Sequence, residues 1–142
     1  MAVRYTEFQE LNAEVMAVNV ESLYSHKVWN EVELNKMVDG GIPYPMIADT
    51  TAAIGKSYDI YDRKTGKTLR GTFIIDPEGT IQVSEIMYGP VGRNPDEIIR
   101  LLRAYQQYET TKQAIPSGWQ PGDKTLNPIL AASGQVWQEW RP

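Results

Sequence analysis

The stretch that decides the fold is T-L-R-G-T-F-I-I-D-P-E-G, residues 68–79. Its apolar residues form a run of strand length, and the run ends in D-P-E-G, residues 76–79. Asp at the first position, Pro at the second and Gly at the fourth are the preferences of a type I turn. A second run of strand length follows at once, over residues 80–88. The pattern predicts an antiparallel β-hairpin whose first strand begins at a cation, Arg70.

Outward from this hairpin, segments with strand-like and helix-like patterns alternate, which is typical of the α/β class. We predict a mixed sheet that contains one antiparallel hairpin and is flanked by helices. From Lys112 onward the periodicity is lost, so we predict a core over residues 1–111 and an extended tail over residues 112–142. The predicted helices cover 3–11, 26–38, 50–60 and 95–109, and the predicted strands cover 13–20, 44–48, 71–76 and 80–88.

Cap residues set the expected starts of the helices. Ser25 is the predicted N-cap of the second helix, whose inner face would carry Val28, Trp29 and Val32. Asn94, followed by proline at the first helical position, predicts the start of the helix over 95–109.

Composition excludes several classes of function. The chain has 142 residues, a net charge of -4 and a sequence pI of about 5.0, which argues against electrostatic binding to nucleic acid. It contains no cysteine and a single histidine, His26, so we predict no disulfide, no metal site and no cofactor. No apolar run approaches the ~18 residues that span a bilayer, and no signal sequence is visible, so we predict a cytoplasmic protein that does not bind membranes.

Six stretches, in order along the chain, carry a recognisable pattern: E-V-M-A-V-N-V-E-S-L-Y-S-H-K-V-W (14–29), P-M-I-A-D-T-T (45–51), R-G-T-F-I-I-D-P-E-G (70–79), V-G-R-N-P-D-E (91–97), P-S-G-W-Q-P-G (116–122) and L-N-P (126–128). Together they resemble the peroxiredoxins of the alkyl hydroperoxide reductase C and thiol-specific antioxidant family, of the typical two-cysteine type. The resemblance implies a thioredoxin-like fold and the reduction of hydroperoxides.

The resemblance implies a role for three side chains. Arg70 matches the family arginine beside the peroxidatic cysteine, where it favours the thiolate and binds the peroxide oxygens. Arg93 matches a second, supporting arginine, and Trp29 matches an aromatic residue near the pocket. From the residues alone, Arg70 could be a strand-end cation in solvent, Arg93 a loop cation and Trp29 a core residue. His26 is interpreted as a structural residue at the helix start; a Ser-His-Asp triad around it lacks the G-x-S-x-G elbow.

The sequence departs from the family pattern at both reactive positions. The peroxidatic cysteine would lie upstream of Met1, about seven residues before it when R-Y-T-E-F, residues 4–8, is aligned with the family helix that carries it. The strands before that helix are missing too, so the expected fold is thioredoxin-like but N-terminally truncated. Ile115 stands at the resolving-cysteine position, and Gly40-Gly41-Ile42-Pro43 replaces the G-G-L-G loop of oxidation-sensitive members.

Two functional hypotheses follow, and an unrelated α/β domain is a third alternative. In the first, the chain is most of a peroxiredoxin whose thiol or selenol lies on a missing upstream segment, so the isolated chain is inactive. Some family members use selenocysteine, which is encoded by a codon otherwise read as stop. If that codon were taken for a stop, the gene would be assigned a start at the next methionine, and Met1 is at the expected position. In the second, the chain is a non-catalytic interaction or assembly subunit. The expected partners are a hydroperoxide, a thioredoxin-like thiol reductant and further copies of the chain, as a homodimer or larger oligomer.

Overall fold

A computed structural model describes residues 1–128 and 133–141. The helices are α1 (Tyr5–Glu10), α2 (Leu23–Trp29), α3 (Asn35–Met37), α4 (Ala53–Ser57), α5 (Pro95–Thr111) and α6 (Val136–Glu139). The strands are β1 (Ala17–Asn19), β2 (Met46–Ala48), β3 (Tyr61–Asp62), β4 (Lys67–Thr68), β5 (Arg70–Ile75) and β6 (Ile81–Met87). A 3-10 turn, Ala2–Arg4, precedes α1, and a π turn, Asn30–Leu34, joins α2 to α3.

The predicted hairpin is confirmed: β5 and β6 pair antiparallel, with Arg70 opposite Met87. The turn that joins them closes with a hydrogen bond from Gly79 N to Asp76 O at 3.0 Å. β1 pairs with β2 in parallel, and β3 pairs with β4 antiparallel. The single mixed sheet of the prediction is not formed, since the strands of the described residues make three separate two-stranded ladders.

The predicted strand over 13–20 is shortened to three residues, Ala17–Asn19. Asn12 has a left-handed backbone, φ 52°, and lies in the turn that ends α1. At the other end, Asn19 Oδ1 accepts a hydrogen bond from Glu21 N at 2.9 Å, so the chain leaves β1 at once. The length of β1 is therefore set by the turns at its two ends and not by the length of the apolar run.

Two predictions about the second helix were wrong. The N-cap is Ser22, whose side chain accepts a hydrogen bond from Ser25 N, so the helix begins at Leu23. The buried residues are His26 and Leu34, whereas Val28, Trp29 and Val32 are exposed.

A contact with β1 accounts for this reversed face. His26 Nε2 lies 2.6 Å from Asn19 Oδ1 at the end of β1, so α2 turns its His26 side toward the strand. Val28 and Val32 are four residues apart, as are His26 and Asn30, so the spacing of the residues did not show which of the two faces is buried.

The chain divides into two compact units, Met1–Arg93 and Asn94–Pro142. The buried residues of the first unit include Phe8, Leu34 and Ala52. Asp49 is buried as well, and its Oδ2 accepts a hydrogen bond from Gly55 N at 2.8 Å, so this carboxylate ties the start of α4 to the end of β2.

The second unit combines α5 with the segment that follows it. Asn94 caps α5, as predicted, by accepting a hydrogen bond from Asp96 N at 3.0 Å. Arg100 pairs with Glu97 and also donates to the carbonyl of Trp119 at 3.0 Å, which fixes the following segment on α5. The predicted division into residues 1–111 and 112–142 stays a prediction, and residues 129–132 and 142 of that tail lie outside the described residues.

No helix in the described ranges, 1–128 and 133–141, combines the length and the apolar character that crossing a membrane requires.

Candidate active site

The hairpin of β5 and β6 places a cation and its polar neighbours on one face. Arg70 opens β5, and Thr72, two residues further on, lies opposite Glu85 of β6. Side chains two residues apart in a strand share a face, and directly opposite residues of an antiparallel pair share it too. Arg70, Thr72 and Glu85 therefore project from the same side of the hairpin.

Gly71 lies between these residues at a position where a side chain does not fit. A Cβ there would come within 2.8 Å of Phe73 Cε2 and 3.2 Å of Ile60 Cδ1. The ring of Phe73 is itself fixed by an edge-on contact with Tyr58, with ring centroids 4.7 Å apart. Glycine thus allows the strand to pass close to its neighbours directly after Arg70.

Arg93 returns to this hairpin after β6. Its Nε donates to Thr72 Oγ1 at 2.9 Å, and its Nη2 donates to the Gly71 carbonyl at 2.7 Å. The residue as a whole is exposed, but its guanidinium end lies against β5. Partial burial of that end and the charge of Arg70 lower the pKa of Arg93, while Glu85 and Tyr44 act in the opposite direction. The structure thus brings Arg70 and Arg93 within electrostatic reach of each other, while the roles that the resemblance implies for them stay predictions.

The first residues of the chain lie near the same pair. Partial burial lowers the pKa of the Met1 amino group, and the positive charges of Arg4 and Arg93 lower it further. Arg4 forms an ion pair with Glu7, which limits the net charge that it adds. The Met1 amino group and Arg93 are therefore within electrostatic reach of each other.

Tyr44 is a site residue that sequence reasoning missed. Burial raises the pKa of its phenol, and the nearby Arg93 guanidinium partly offsets this rise. Its ring contacts that of Tyr5 at the start of α1, with centroids 5.6 Å apart. The stretch Y-P-M-I-A-D indicated a short strand and gave no signal that its first residue faces an arginine.

The loop that carries Tyr44 is held by Asn30 of the π turn. Asn30 Oδ1 accepts a hydrogen bond from Ile42 N at 3.0 Å, and a Cβ on Gly41 would lie 2.7 Å from the same oxygen. Gly41 also has a left-handed backbone, φ +81°, which favours glycine. This contact places the end of the loop, and with it Tyr44, beside α1.

Trp29 lies in a different surrounding. It is 45% exposed, and its Nε1 donates to Glu33 Oε2 at 2.9 Å. An open groove surrounds it, lined by Tyr24, Ser25, Val28, Trp29, Val32 and Glu33. Neither this hydrogen bond nor the lining of the groove involves Arg70 or Arg93, and the role of Trp29 as a pocket aromatic stays a prediction.

The other two residues singled out from the sequence have structural surroundings. His26 is 4% exposed, and its Nε2 lies 2.6 Å from Asn19 Oδ1, which ties α2 to the end of β1. This agrees with a structural histidine. Ile115 is half-buried in the second unit, directly after Ala114, which bridges to Leu126. Within the described part of the chain, no three His, Asp or Glu side chains lie close enough together to hold a metal ion.

Two family descriptions match parts of the chain. Residues 1–84, which contain Arg70, match the AhpC/TSA family, and residues 104–132 match the C-terminal domain of 1-Cys peroxiredoxin. The chain is also 48% identical, over 142 residues, to the selenocysteine-containing peroxiredoxin PrxU of Peptoclostridium acidaminophilum. That alignment covers 99% of this chain and 70% of PrxU.

The chain belongs to the AhpC/TSA family of peroxiredoxins. A second relative is the chloroplastic 2-Cys peroxiredoxin BAS1 of Hordeum vulgare, 39% identical over 125 residues that cover 88% of this chain. Among solved structures, the reduced 2-Cys peroxiredoxin of Plasmodium vivax superposes with a TM-score of 0.88 at 27% identity, over 98% of this chain and 71% of that one. The α/β fold is therefore thioredoxin-like, as the sequence predicted.

The match does not extend over the whole of these peroxiredoxins. The chain spans 60% of the Hordeum vulgare protein and 47% of the chloroplastic BAS1 of Spinacia oleracea. What the whole relatives do therefore applies to this chain only as a proposal.

Proposed function

We propose that this chain carries the arginine side of a peroxiredoxin active site, and that a thiol or selenol outside its 142 residues supplies the attacking atom. The observation that carries the proposal is that Arg93 is held against β5, next to Arg70. Its guanidinium donates hydrogen bonds of 2.9 Å to Thr72 Oγ1 and 2.7 Å to the Gly71 carbonyl. The sequence itself contains no cysteine. The similarity to a selenocysteine-containing peroxiredoxin, which is longer than the part it shares with this chain, supports a selenol as the alternative to a thiol.

Two neighbouring guanidinium groups suit the reduction of a hydroperoxide. The thiolate or selenolate attacks one peroxide oxygen, the O–O bond breaks, and the other oxygen leaves with the electron pair and takes up a proton. Guanidinium groups stay charged and present several donors, so Arg70 can favour the anionic nucleophile and stabilise negative charge on the leaving oxygen. Arg93, anchored on Thr72 and Gly71, supports it from a fixed position. The resulting sulfenic or selenenic acid would be reduced by a thiol, such as that of a thioredoxin-like protein.

A turnover assay tests this assignment. The protein is produced with its upstream in-frame residues, and hydroperoxide consumption is followed with a thiol reductant. Arg70→Gln should lower kcat/KM by about 100-fold, since it removes a charged donor at the developing oxyanion. Arg63→Gln is the matched control, because Arg63 is an exposed cation in the turn between β3 and β4. Equal activity of Arg70→Gln and the control would refute the role of Arg70, and turnover by the cysteine-free chain alone would refute the external nucleophile.

A non-catalytic assembly subunit is the second candidate. The absence of cysteine and the open apolar groove around Trp29 favour it. Under this alternative the chain would associate with further copies or partners, and the upstream-extended protein would show no Arg70-dependent turnover. A homodimer or larger oligomer and a cytoplasmic location stay predictions under either function.

A further inference from the structure

The face of the hairpin that carries Arg70 also carries one carboxylate. Glu85 lies directly opposite Thr72, and Thr72 Oγ1 is the acceptor that holds Arg93 Nε. Directly opposite residues of an antiparallel pair have Cβ atoms about 4.5–5.5 Å apart, and diagonal neighbours about 7–8 Å. Glu85 is thus beside the anchored guanidinium of Arg93 and diagonal to Arg70.

Two positive charges at this position have an electrostatic consequence. Arg70 repels the charge of Arg93, and Glu85 offsets this repulsion, as the opposite directions of their effects on the pKa of Arg93 indicate. Guanidinium pairs bind phosphate and carboxylate with particular strength, because their donors match the geometry of these anions. An arginine pair without a counter-charge would therefore be a site for small anions.

We propose that Glu85 determines specificity in the arginine site: its carboxylate disfavours small anions and leaves the guanidinium donors to a neutral hydroperoxide. This inference rests on the proposed function for the identity of the substrate. A hydroperoxide is uncharged before it reacts, so Glu85 does not repel it, whereas inorganic phosphate carries the charge that Glu85 opposes. The hydrogen bonds that hold Arg93 go to Thr72 and Gly71 and do not depend on Glu85.

A phosphate titration of the 142-residue chain tests this role without any peroxide chemistry. Inorganic phosphate is added at low ionic strength, and the NMR signals of Arg93 Nε–Hε and the Thr72 amide are followed. Glu85→Gln should bind phosphate about five- to tenfold more tightly than the unchanged chain, the effect of one charge at this distance in a medium of high effective dielectric constant. Glu85→Asp, which keeps the charge, should restore weak binding.

The matched control is Glu78→Gln, which makes the same charge change in the turn of the same hairpin. Its phosphate affinity should stay within twofold of the unchanged chain. The proposal is overturned if Glu85→Gln binds phosphate no more tightly than the control, or if its gain persists after Arg93→Gln is added.

The two proposals can fail separately. A phosphate effect without Arg70-dependent turnover would refute the proposed function and keep the electrostatic role of Glu85. Turnover without a phosphate effect would refute the role of Glu85 alone.

Discussion

At the scale of single residues, the site depends on where the backbone of β5 can pass. Arg93 reaches the carbonyl of Gly71 because no side chain at that position pushes the strand away from Phe73 and Ile60. Thr72 adds the second acceptor. The position of Arg93 is thus set by one residue without a side chain and by one hydroxyl.

Gly71→Ala should destabilise the protein by about 1–3 kcal/mol, because the added methyl group overpacks against Phe73. Urea unfolding followed by circular dichroism measures the loss. Gly89→Ala is the control, since a Cβ there meets nothing within 4 Å and Gly89 has no left-handed backbone. Equal free energies of unfolding for the two variants would contradict the close contact at Gly71.

A second prediction at this scale concerns Asp49. The hydrogen bond that it accepts from Gly55 N lowers the pKa of the carboxyl in the folded state, and hydrogen bonds from the backbone amides of Ile54 and Ala53 lower it further. A carboxyl whose folded pKa is depressed contributes stability above its unfolded pKa of about 3.9, and this contribution is lost as the pH falls through the folded value. Stability should therefore fall on acidification below about pH 4.

Asp49→Asn keeps an acceptor oxygen but does not titrate, so this part of the acid dependence should disappear. The measurement is the urea midpoint as a function of pH, compared with Asp39→Asn, a change at an exposed carboxyl. If the urea midpoint of Asp49→Asn falls with acidification as steeply as that of Asp39→Asn, the buried hydrogen bond of Asp49 is not the cause of the acid dependence.

At the scale of elements, local patterns predicted the hairpin and α5, and long-range contacts decided the second helix. The turn residues 76–79 lie next to each other in the sequence, so the geometry of the turn can be predicted from the sequence alone. The face of α2 depends instead on the contact of His26 with Asn19 at the end of β1. No single-period pattern contains that information.

The same distinction applies to the site. Arg70 and Arg93 were predicted from the family resemblance, whereas Tyr44 and Glu85 come to them only through tertiary structure. Glu85 is placed by the register of the hairpin, and Tyr44 by the contact of Asn30 with the preceding loop. Neither position differs in sequence from an ordinary strand or loop residue.

Asn94→Ala should lower the free energy of unfolding by about 1 kcal/mol, because it removes the N-cap of α5 and leaves the Asp96 amide without its acceptor. Thermal or urea unfolding measures this. Asn94→Asp retains an acceptor oxygen and should be close to neutral. A loss of stability in Asn94→Asp equal to that in Asn94→Ala would show that the cap is not the cause.

At the scale of the whole molecule, the chain has the fold of a peroxiredoxin but no atom that can attack a peroxide in the family manner. It contains no cysteine, and the thioether of methionine is a weak substitute for a thiolate. The family descriptions match residues 1–84 and 104–132. Under the proposed function, a thiol or selenol outside these 142 residues supplies the attacking atom.

The intact mass of the native protein, measured before and after alkylation with a thiol- and selenol-reactive reagent, tests this claim most directly. We predict a mass above the 16.1 kDa of these 142 residues, and a shift by one alkyl group although the 142 residues contain no cysteine. A native mass of 16.1 kDa that alkylation leaves unchanged would contradict the account.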